Sequence, residues 1–212
     1  MINASAKSGA PRQLPPAGTH VARCFSIIDL GTHEKVWEGK TRKAHEIRVS
    51  WELPLETADF GKGHEEPFAV HKTYTLSLSE KANLRHDLEA WRGRSFTEAQ
   101  LQSFDVATVL GVPCMVTVTH VTKKDNTYAN ATAITGLPKG MTCPAAINPQ
   151  VEFSLADHDE TVFRSLPEFL QTIIKDSDEW KQAGANPDPN NEEPPMDHPD
   201  MGGEEDGSGL PF

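Results

Sequence analysis

The segment SLSEKANLRHDLEAWRG, residues 77–93, decides the fold of this 212-residue chain because a helix at this point separates three strands from two. Ser77 and Glu80 fit the capping-box pattern that starts a helix, and Gly93 provides the stop. The apolar residues between them recur at helical spacing, at Leu84, Leu88 and Trp91. We therefore predict one amphipathic helix in the middle of the chain.

Strands are predicted on both sides of this helix. The clearest is HEIRVSWEL, residues 45–53, in which apolar and polar residues alternate as in a half-buried strand. Further strands are predicted at 21–30, 68–78, 113–123 and 128–135, the last two joined by a turn at 124–127 into a hairpin. A short helix is expected from Thr97, and a last helix from about Ser165 to Gly184, with a stripe of Phe169, Leu170, Ile173, Ile174 and Trp180.

The predicted order is three strands, a helix and two strands. This is the succession of a five-stranded Greek-key barrel of the OB type, with its helix between strands three and four. A sandwich would need more strands, and a βαβ fold would need helices between most strands. We expect a mainly β body over 18–150, preceded by a flexible arm over 1–17. A helical extension over 151–184 and a disordered acidic tail over 185–212 follow.

Several classes of protein are disfavoured by composition and motifs. No apolar run is long enough for a membrane span, and the first residues lack a signal-peptide core, so a cytoplasmic location is expected. Three scattered cysteines suit a reducing compartment. The nucleophile-elbow, zinc-protease, phosphate-loop and dinucleotide motifs are absent. We therefore expect no enzyme activity, no cofactor and no metal site.

Charge is divided unevenly along the chain. Residues 1–150 contain 17 basic and 15 acidic side chains, so the body is slightly positive although the whole chain carries −11. Residues 182–212 contain eight acidic side chains, no lysine or arginine, and six prolines. Such a segment buries too little apolar surface to offset its ordering entropy, which predicts disorder. The body and the tail are therefore expected to have different partners.

Basic and aromatic residues interleave in three parts of the body. They occur in the predicted loop 33–43, in strands two and three, and around the last hairpin turn. In an OB barrel these loops flank the face of strands two and three, where cations can follow phosphates and aromatic rings can stack on bases. The candidate binding residues are Lys35, Trp37, Lys40, Arg42, Lys43, Arg48, Trp51, Lys72, Tyr74, Lys123, Lys124 and Tyr128.

Each candidate also has a structural explanation. Trp51 and Tyr74 share strand faces with aliphatic residues, which favours core packing over stacking. Trp37 lies in a polar segment, which favours a stacking role. The lysines and arginines could equally form an ordinary solvated surface. The set as a whole, brought together by the barrel topology, is the argument for a binding groove.

The tail carries a resemblance to a known family. Its acidic, proline-rich sequence ends in Leu210-Pro211-Phe212, which resembles the end of single-stranded-DNA-binding proteins, whose bacterial members finish in an acidic tail with an Ile-Pro-Phe tip. The body is more similar to the phage-encoded members, whose larger OB domains also carry acidic tails ending in an aromatic residue. One departure is Gly207-Ser208-Gly209, which separates the acids from the tip. The resemblance implies that the tip docks onto replication or recombination proteins, in the host cytoplasm if the protein is phage-encoded.

The expected function is therefore non-enzymatic binding of single-stranded DNA, which the protein would coat and protect in replication, recombination or repair. Recruitment of partners through Leu210, Pro211 and Phe212 is expected with it. The alternative is an OB-fold interaction module, such as a phage accessory protein, whose groove binds a peptide. An oligonucleotide-processing enzyme is disfavoured because no paired catalytic carboxylates can be identified. Oligomeric state, site size and preference for DNA over RNA do not follow from the sequence.

Overall fold

The computed structural model of the chain describes residues 13–37, 39–124 and 126–185. The predicted tail from 186 onward and most of the N-terminal arm lie outside the described residues. The described part is mainly β, with short helices after the third strand and at the C-terminal side. No described helix is long and apolar enough to span a membrane.

Three strands, at 18–37, 40–59 and 126–135, are longer than the sequence pattern predicts, and the strand at 65–75 begins and ends three residues earlier than predicted. The β-strands are β1 (Gly18–Trp37), β2 (Lys40–Asp59), β3 (Glu65–Thr75), β4 (Pro113–Lys123), β5 (Asn126–Thr135) and β6 (Val151–Phe153). The helices are α1 (Asn83–Arg92), α2 (Glu98–Gln102), α3 (Glu160–Ser165), α4 (Glu168–Lys175) and α5 (Asp178–Ala185), with a 3-10 turn at Val106–Val109. The predicted loop 33–43 is wrong, because most of it is a β-hairpin in which β1 and β2 stay paired as far as Trp37 and Lys40.

The sheet is antiparallel in the order β3-β2-β1-β4-β5, and β6 pairs in parallel with β1. α1 lies between β3 and β4 in the chain, as predicted, and contacts both β3 and β5. These two edge strands approach each other but are not joined by a ladder in the described part of the chain, so the sheet is open there. A closed barrel is therefore not what the structure contains.

The main core lies between the inner face of the sheet and α1. Alternation along β2 puts four apolar side chains on the inner face, all at most 4% exposed: Ile47, Val49, Trp51 and Leu53. They pack with the apolar face of α1, whose Trp91 ring lies 6.1 Å from the Trp51 ring between centroids. The Trp91 indole also donates a hydrogen bond of 2.9 Å to the Pro113 carbonyl, which fixes α1 against the start of β4.

Two details of the helices differ from the predictions. α1 begins at Asn83 with no side-chain cap, and the Ser77 hydroxyl instead accepts a hydrogen bond from the backbone N–H of Ser79. The predicted last helix is interrupted at Ser177, which separates α4 from α5. Ser177 is fully buried and its hydroxyl accepts from the N–H of Trp180, so it caps α5.

A second apolar cluster attaches the C-terminal helices to β1. Ile28 and Leu30 of β1 pack against residues from β6 to α4, namely Phe153, Phe163, Leu166, Leu170 and Ile174. The Glu179 carboxylate of α5 accepts hydrogen bonds from the backbone N–H and the hydroxyl of Thr32, at 2.7 and 2.5 Å. These contacts place α4 beside the face of β2 that points away from the main core.

Candidate functional site

The outer face of β2 carries several of the predicted basic residues. Side chains alternate along a strand, so Lys40, Arg42, Arg48 and Ser50 share the face opposite to the core residues. Across the β2–β3 ladder, Arg48 pairs with Thr73 and Ser50 pairs with His71. This outer face is the surface on which a binding site can form.

A cavity of about 740 Å³ occupies the open seam between β3 and β5. Ala69 and His71 of β3 lie on one side, and Tyr128 and Asn130 of β5 lie on the other. Phe60, after the end of β2, closes one end and packs edge-on against Phe68 at 5.1 Å between ring centroids. The remaining lining residues are Gln13, Leu14, Pro15, Asp59, Gly61 and Ala129. Because the seam is open, about two fifths of the Tyr128 side chain is exposed.

A second cavity, of about 260 Å³, lies beside the first, over β3 and β2. It shares Ala69 and His71 with the seam cavity and is closed on its far side by α4. Arg48 places its guanidinium carbon 5.4 Å from the centroid of the Phe169 ring. Phe169 is 52% exposed, so its ring is an accessible surface. We call the two neighbouring cavities together the outer groove.

Three of the predicted basic residues are engaged in ion pairs within the protein. Lys35 bonds Glu46 at 2.5 Å, and Lys72 bonds Asp87 on α1 at 2.6 Å. Lys43 bonds Asp178 on α5 at 2.6 Å, and this hydrogen bond raises the pKa of Lys43. The Lys43–Asp178 pair is largely exposed, and pairs of this kind stabilise a protein weakly. They do, however, reduce the charge that these lysines can offer to a ligand.

Two of the aromatic residues predicted for the binding site are buried. Trp51 is 1% exposed and Tyr74 is 4% exposed, so both rings belong to the core and their assignment to the binding site is wrong. The Tyr74 hydroxyl donates to the Asp87 carboxylate at 2.7 Å. Burial and this carboxylate both raise the pKa of Tyr74. The structural explanation given by their aliphatic neighbours is the correct one.

The other predicted basic residues lie at the two hairpins. Lys40 and Arg42 follow the β1–β2 turn, and Lys123 and Lys124 form the β4–β5 turn, all exposed and without an ion pair to any described residue. Because the beginning of β1 pairs with the end of β4, these turns lie at opposite ends of the sheet. Trp37 ends β1, and its side chain lies outside the described part. The tip residues Leu210, Pro211 and Phe212 are outside it as well.

Phe60, His71 and Phe169 line the outer groove and are absent from the sequence-based candidates. Phe169 was expected in the apolar stripe of the last helix, but only Leu170 and Ile174 of α4 are buried, whereas Phe169 and Ile173 are exposed. Both pairs have the same i, i+4 spacing, so the periodicity alone cannot tell which pair faces β1. Only the packing against β1 distinguishes them.

None of the three cysteines lines the outer groove. No group of three or more side chains that could hold a metal ion occurs among the described residues. Cys24 and Cys114 are buried, and burial raises the pKa of the Cys24 thiol to about 12. Such thiols are poor nucleophiles. The outer groove, with aromatic rings and a guanidinium, suits non-covalent binding of an extended ligand.

No protein-family model matches the sequence, and no curated protein matches it. The argument for function therefore depends on the groove, the hairpins and the tail.

Proposed function

We propose that this protein binds single-stranded DNA in the outer groove, with little sequence preference, and coats and protects it in replication, recombination or repair. The observation that carries the proposal is that three exposed aromatic rings and one guanidinium line the outer groove. The rings belong to Phe60, Tyr128 and Phe169, and the guanidinium to Arg48. Grooves for single strands combine positive charge with aromatic rings on which bases stack.

The topology supports the same proposal. The order β3-β2-β1-β4-β5, with α1 between β3 and β4, is that of an OB barrel opened between β3 and β5. We infer an OB-type fold of this partly open kind. OB folds bind oligonucleotides on the face of strands two and three, which here is the floor of the outer groove.

The two hairpins extend the proposed site beyond the groove. Lys123 and Lys124 lie near the Tyr128 end, and Lys40 and Arg42 lie at the other end of the sheet. A strand running between them would meet cations at both ends and rings in between. Trp37, next to the β1–β2 turn, is proposed to stack on a base there.

The experiment measures fluorescence anisotropy of a labelled oligothymidine over a series of salt concentrations. Tyr128→Ala should weaken binding by about 1–3 kcal/mol and leave the salt slope nearly unchanged. Lys124→Ala should weaken binding and reduce the slope by about 0.7, the contribution of one phosphate in a single strand. Lys139→Ala, an exposed lysine that lines neither cavity, is the matched control and should change neither.

Two results would contradict the proposal. The first is no binding at micromolar protein and low salt. The second is equal effects of Lys124→Ala and Lys139→Ala, since the hairpin lysine would then act no differently from any surface charge.

The tail is proposed to serve recruitment rather than DNA binding. Its last residues, Leu210, Pro211 and Phe212, would dock into a pocket on a replication or recombination protein, and the protein itself would catalyse no reaction. Acidic residues precede the tip. A pull-down of such proteins with the full chain and with Phe212→Ala tests this part separately from DNA binding.

One observation favours the alternative of a peptide ligand. β3 and β5 present unpaired edges to the seam cavity, and an extended peptide can add to such an edge by main-chain hydrogen bonds. Peptide binding of this kind would depend weakly on salt. A steep loss of oligothymidine affinity with salt supports DNA, and the absence of any salt dependence favours the peptide.

A further inference from the structure

Arg48 is the only lysine or arginine among the described residues that line the outer groove. Lys35, Lys43 and Lys72 each bond a carboxylate, whereas Arg48 has neither an ion pair nor a hydrogen bond to another described residue. Its side chain is half-buried, and burial lowers the pKa of its guanidinium. A guanidinium carries five N–H donors and stays protonated at neutral pH. Arg48 is thus a partly desolvated cation at the wall of the smaller cavity.

Phe169 is the partner that holds Arg48 in place. It lies on α4, which the buried Leu170 and Ile174 fix against β1. The guanidinium lies over its ring at 5.4 Å, a cation–π arrangement, while half of the side chain remains exposed. The pair therefore presents a planar cation and an accessible aromatic surface side by side at the wall of the cavity.

We propose that Arg48 and Phe169 form a clamp on a single strand, in which the guanidinium binds one phosphate and the ring stacks on an adjacent base. The inference rests on the proposed function and extends it, because it makes the C-terminal helix α4 the far wall of the DNA site. Ala69 and His71 line both cavities, so a strand stacked on Tyr128 at the seam can continue to Phe169 without leaving the groove.

The chemistry of the pair favours a nucleic acid over a protein ligand. The planar guanidinium of an arginine can donate two parallel hydrogen bonds to the oxygens of a phosphate. The ring of any nucleic-acid base can stack on a phenyl group. Lys40 and Arg42 follow on the same face of β2, so further phosphates beyond Arg48 would also meet cations. Two acids of that face are already engaged within the protein: Glu46 is paired with Lys35, and the buried Glu52 accepts hydrogen bonds from the backbone N–H groups of Ile147 and Asn148.

A pair of α4 variants tests the stacking half of the clamp. Phe169 and Ile173 are both exposed apolar residues one turn apart, but only Phe169 lines the groove. Phe169→Ala should weaken oligothymidine binding by about 5- to 100-fold, from the usual value of one base stacked on an aromatic residue. Ile173→Ala should leave the affinity unchanged. Equal affinities of the two variants, with Tyr128→Ala still weakened, would overturn the clamp and leave the proposed function standing.

Arginine variants test the phosphate half. Arg48→Ala should lower the salt slope by about 0.7, whereas Arg48→Lys should keep the slope and lose part of the affinity, because lysine keeps the charge without the planar fork. An unchanged slope in a folded Arg48→Ala protein contradicts the phosphate contact. Circular dichroism confirms folding, and Arg48→Lys provides the test should the alanine variant unfold.

Cross-linking measures the contact directly. A photoreactive benzoylphenylalanine in place of Phe169 should cross-link to labelled oligothymidine, and the same group in place of Ile173 should not. Equal cross-linking from both positions, or none from Phe169 under conditions where the protein binds the oligonucleotide, would overturn the clamp. If the unmodified protein binds no oligonucleotide at all, the clamp and the proposed function fail together.

Discussion

Replacement of Gly31 should detach the C-terminal helices from the sheet. Gly31 is buried at the second bulge of β1, with φ at +80°, and its N–H bonds the Asp29 carboxylate. A Cβ at this position would lie 2.8 Å from Cδ1 of Leu155 and from Oγ of Ser177, and closer still to Cβ of Ser177. Ser177 is the fully buried cap of α5, so the added methyl group would push directly on that cap.

The cost of Gly31→Ala has two parts. The left-handed backbone costs a residue with a Cβ about 1–2 kcal/mol relative to glycine. The steric conflict with a packed neighbour adds about 1–3 kcal/mol. We therefore expect a loss of about 2–5 kcal/mol in the free energy of unfolding. With a denaturant slope of about 2 kcal/mol/M in urea, the unfolding midpoint should fall by about 1–2.5 M.

Gly63 supplies the matched control. Its φ is +77°, but no atom lies within 4 Å of the position that its Cβ would take. Gly63→Ala should therefore cost the backbone part alone, about 1–2 kcal/mol. Urea unfolding followed by tryptophan fluorescence compares the two variants. Equal shifts in midpoint would refute the reasoning, because they would mean that Ser177 and Leu155 do not press on Gly31.

Four further predictions concern the tail and two titrating groups. Deletion of residues 187–212 should tighten DNA binding at low salt, with a gain that shrinks as salt rises, because the acidic side chains of this segment are expected to compete with phosphates for the cations of the DNA site; unchanged affinity contradicts this. Phe212→Ala should abolish most partner recruitment in pull-downs with little change in DNA affinity, and intact recruitment would show the tip to be an ordinary chain end. Burial raises the pKa of Glu179, but hydrogen bonds from Thr32 outweigh this effect and leave the pKa at about 2. The contribution of Glu179 to the free energy of unfolding is therefore complete above about pH 4.5 and is lost as the pH falls towards 2. Glu179→Gln should make stability, measured by denaturation at a series of pH values, less dependent on pH in this range. One of the two tyrosines, Tyr74, should ionise only on alkaline unfolding, measured by phenolate absorbance, and titration of both before unfolding would contradict its burial.

The local sequence pattern predicted which strands and helices form better than it predicted where they begin and end. β4 spans residues 113–123 as predicted. Its alternation of apolar and polar residues begins at a proline and ends at a turn, so the sequence marks both ends of the strand. β1 and β2 are longer than predicted, since their polar ends are held by strand pairing rather than by burial: they pair with each other at the hairpin, β1 begins on β4, and β2 pairs with β3 as far as Asp59. Ser77 failed as a helix cap because it closes a local turn onto Ser79 instead.

For the candidate site as well, the sequence predicted some features and could not predict others. The sequence indicated that Trp51 and Tyr74 favour the core, because each alternates with aliphatic neighbours, and the structure agrees. The sequence does not show which lysines and arginines form ion pairs within the protein. Lys43 bonds Asp178, 135 residues further along the chain, so the charge that it offers depends on a contact that no local pattern encodes.

The sequence by itself determined the period of each strand and helix and the separation of a slightly basic body from an acidic tail. Both follow from the chemistry of neighbouring residues. Only the tertiary structure decided that Arg48 meets Phe169, and that β3 and β5 stay apart to leave a groove. The physical reason is that α4 has two equivalent apolar pairs at the same helical spacing. Packing against β1 buries one of them, and that choice exposes Phe169 to the groove.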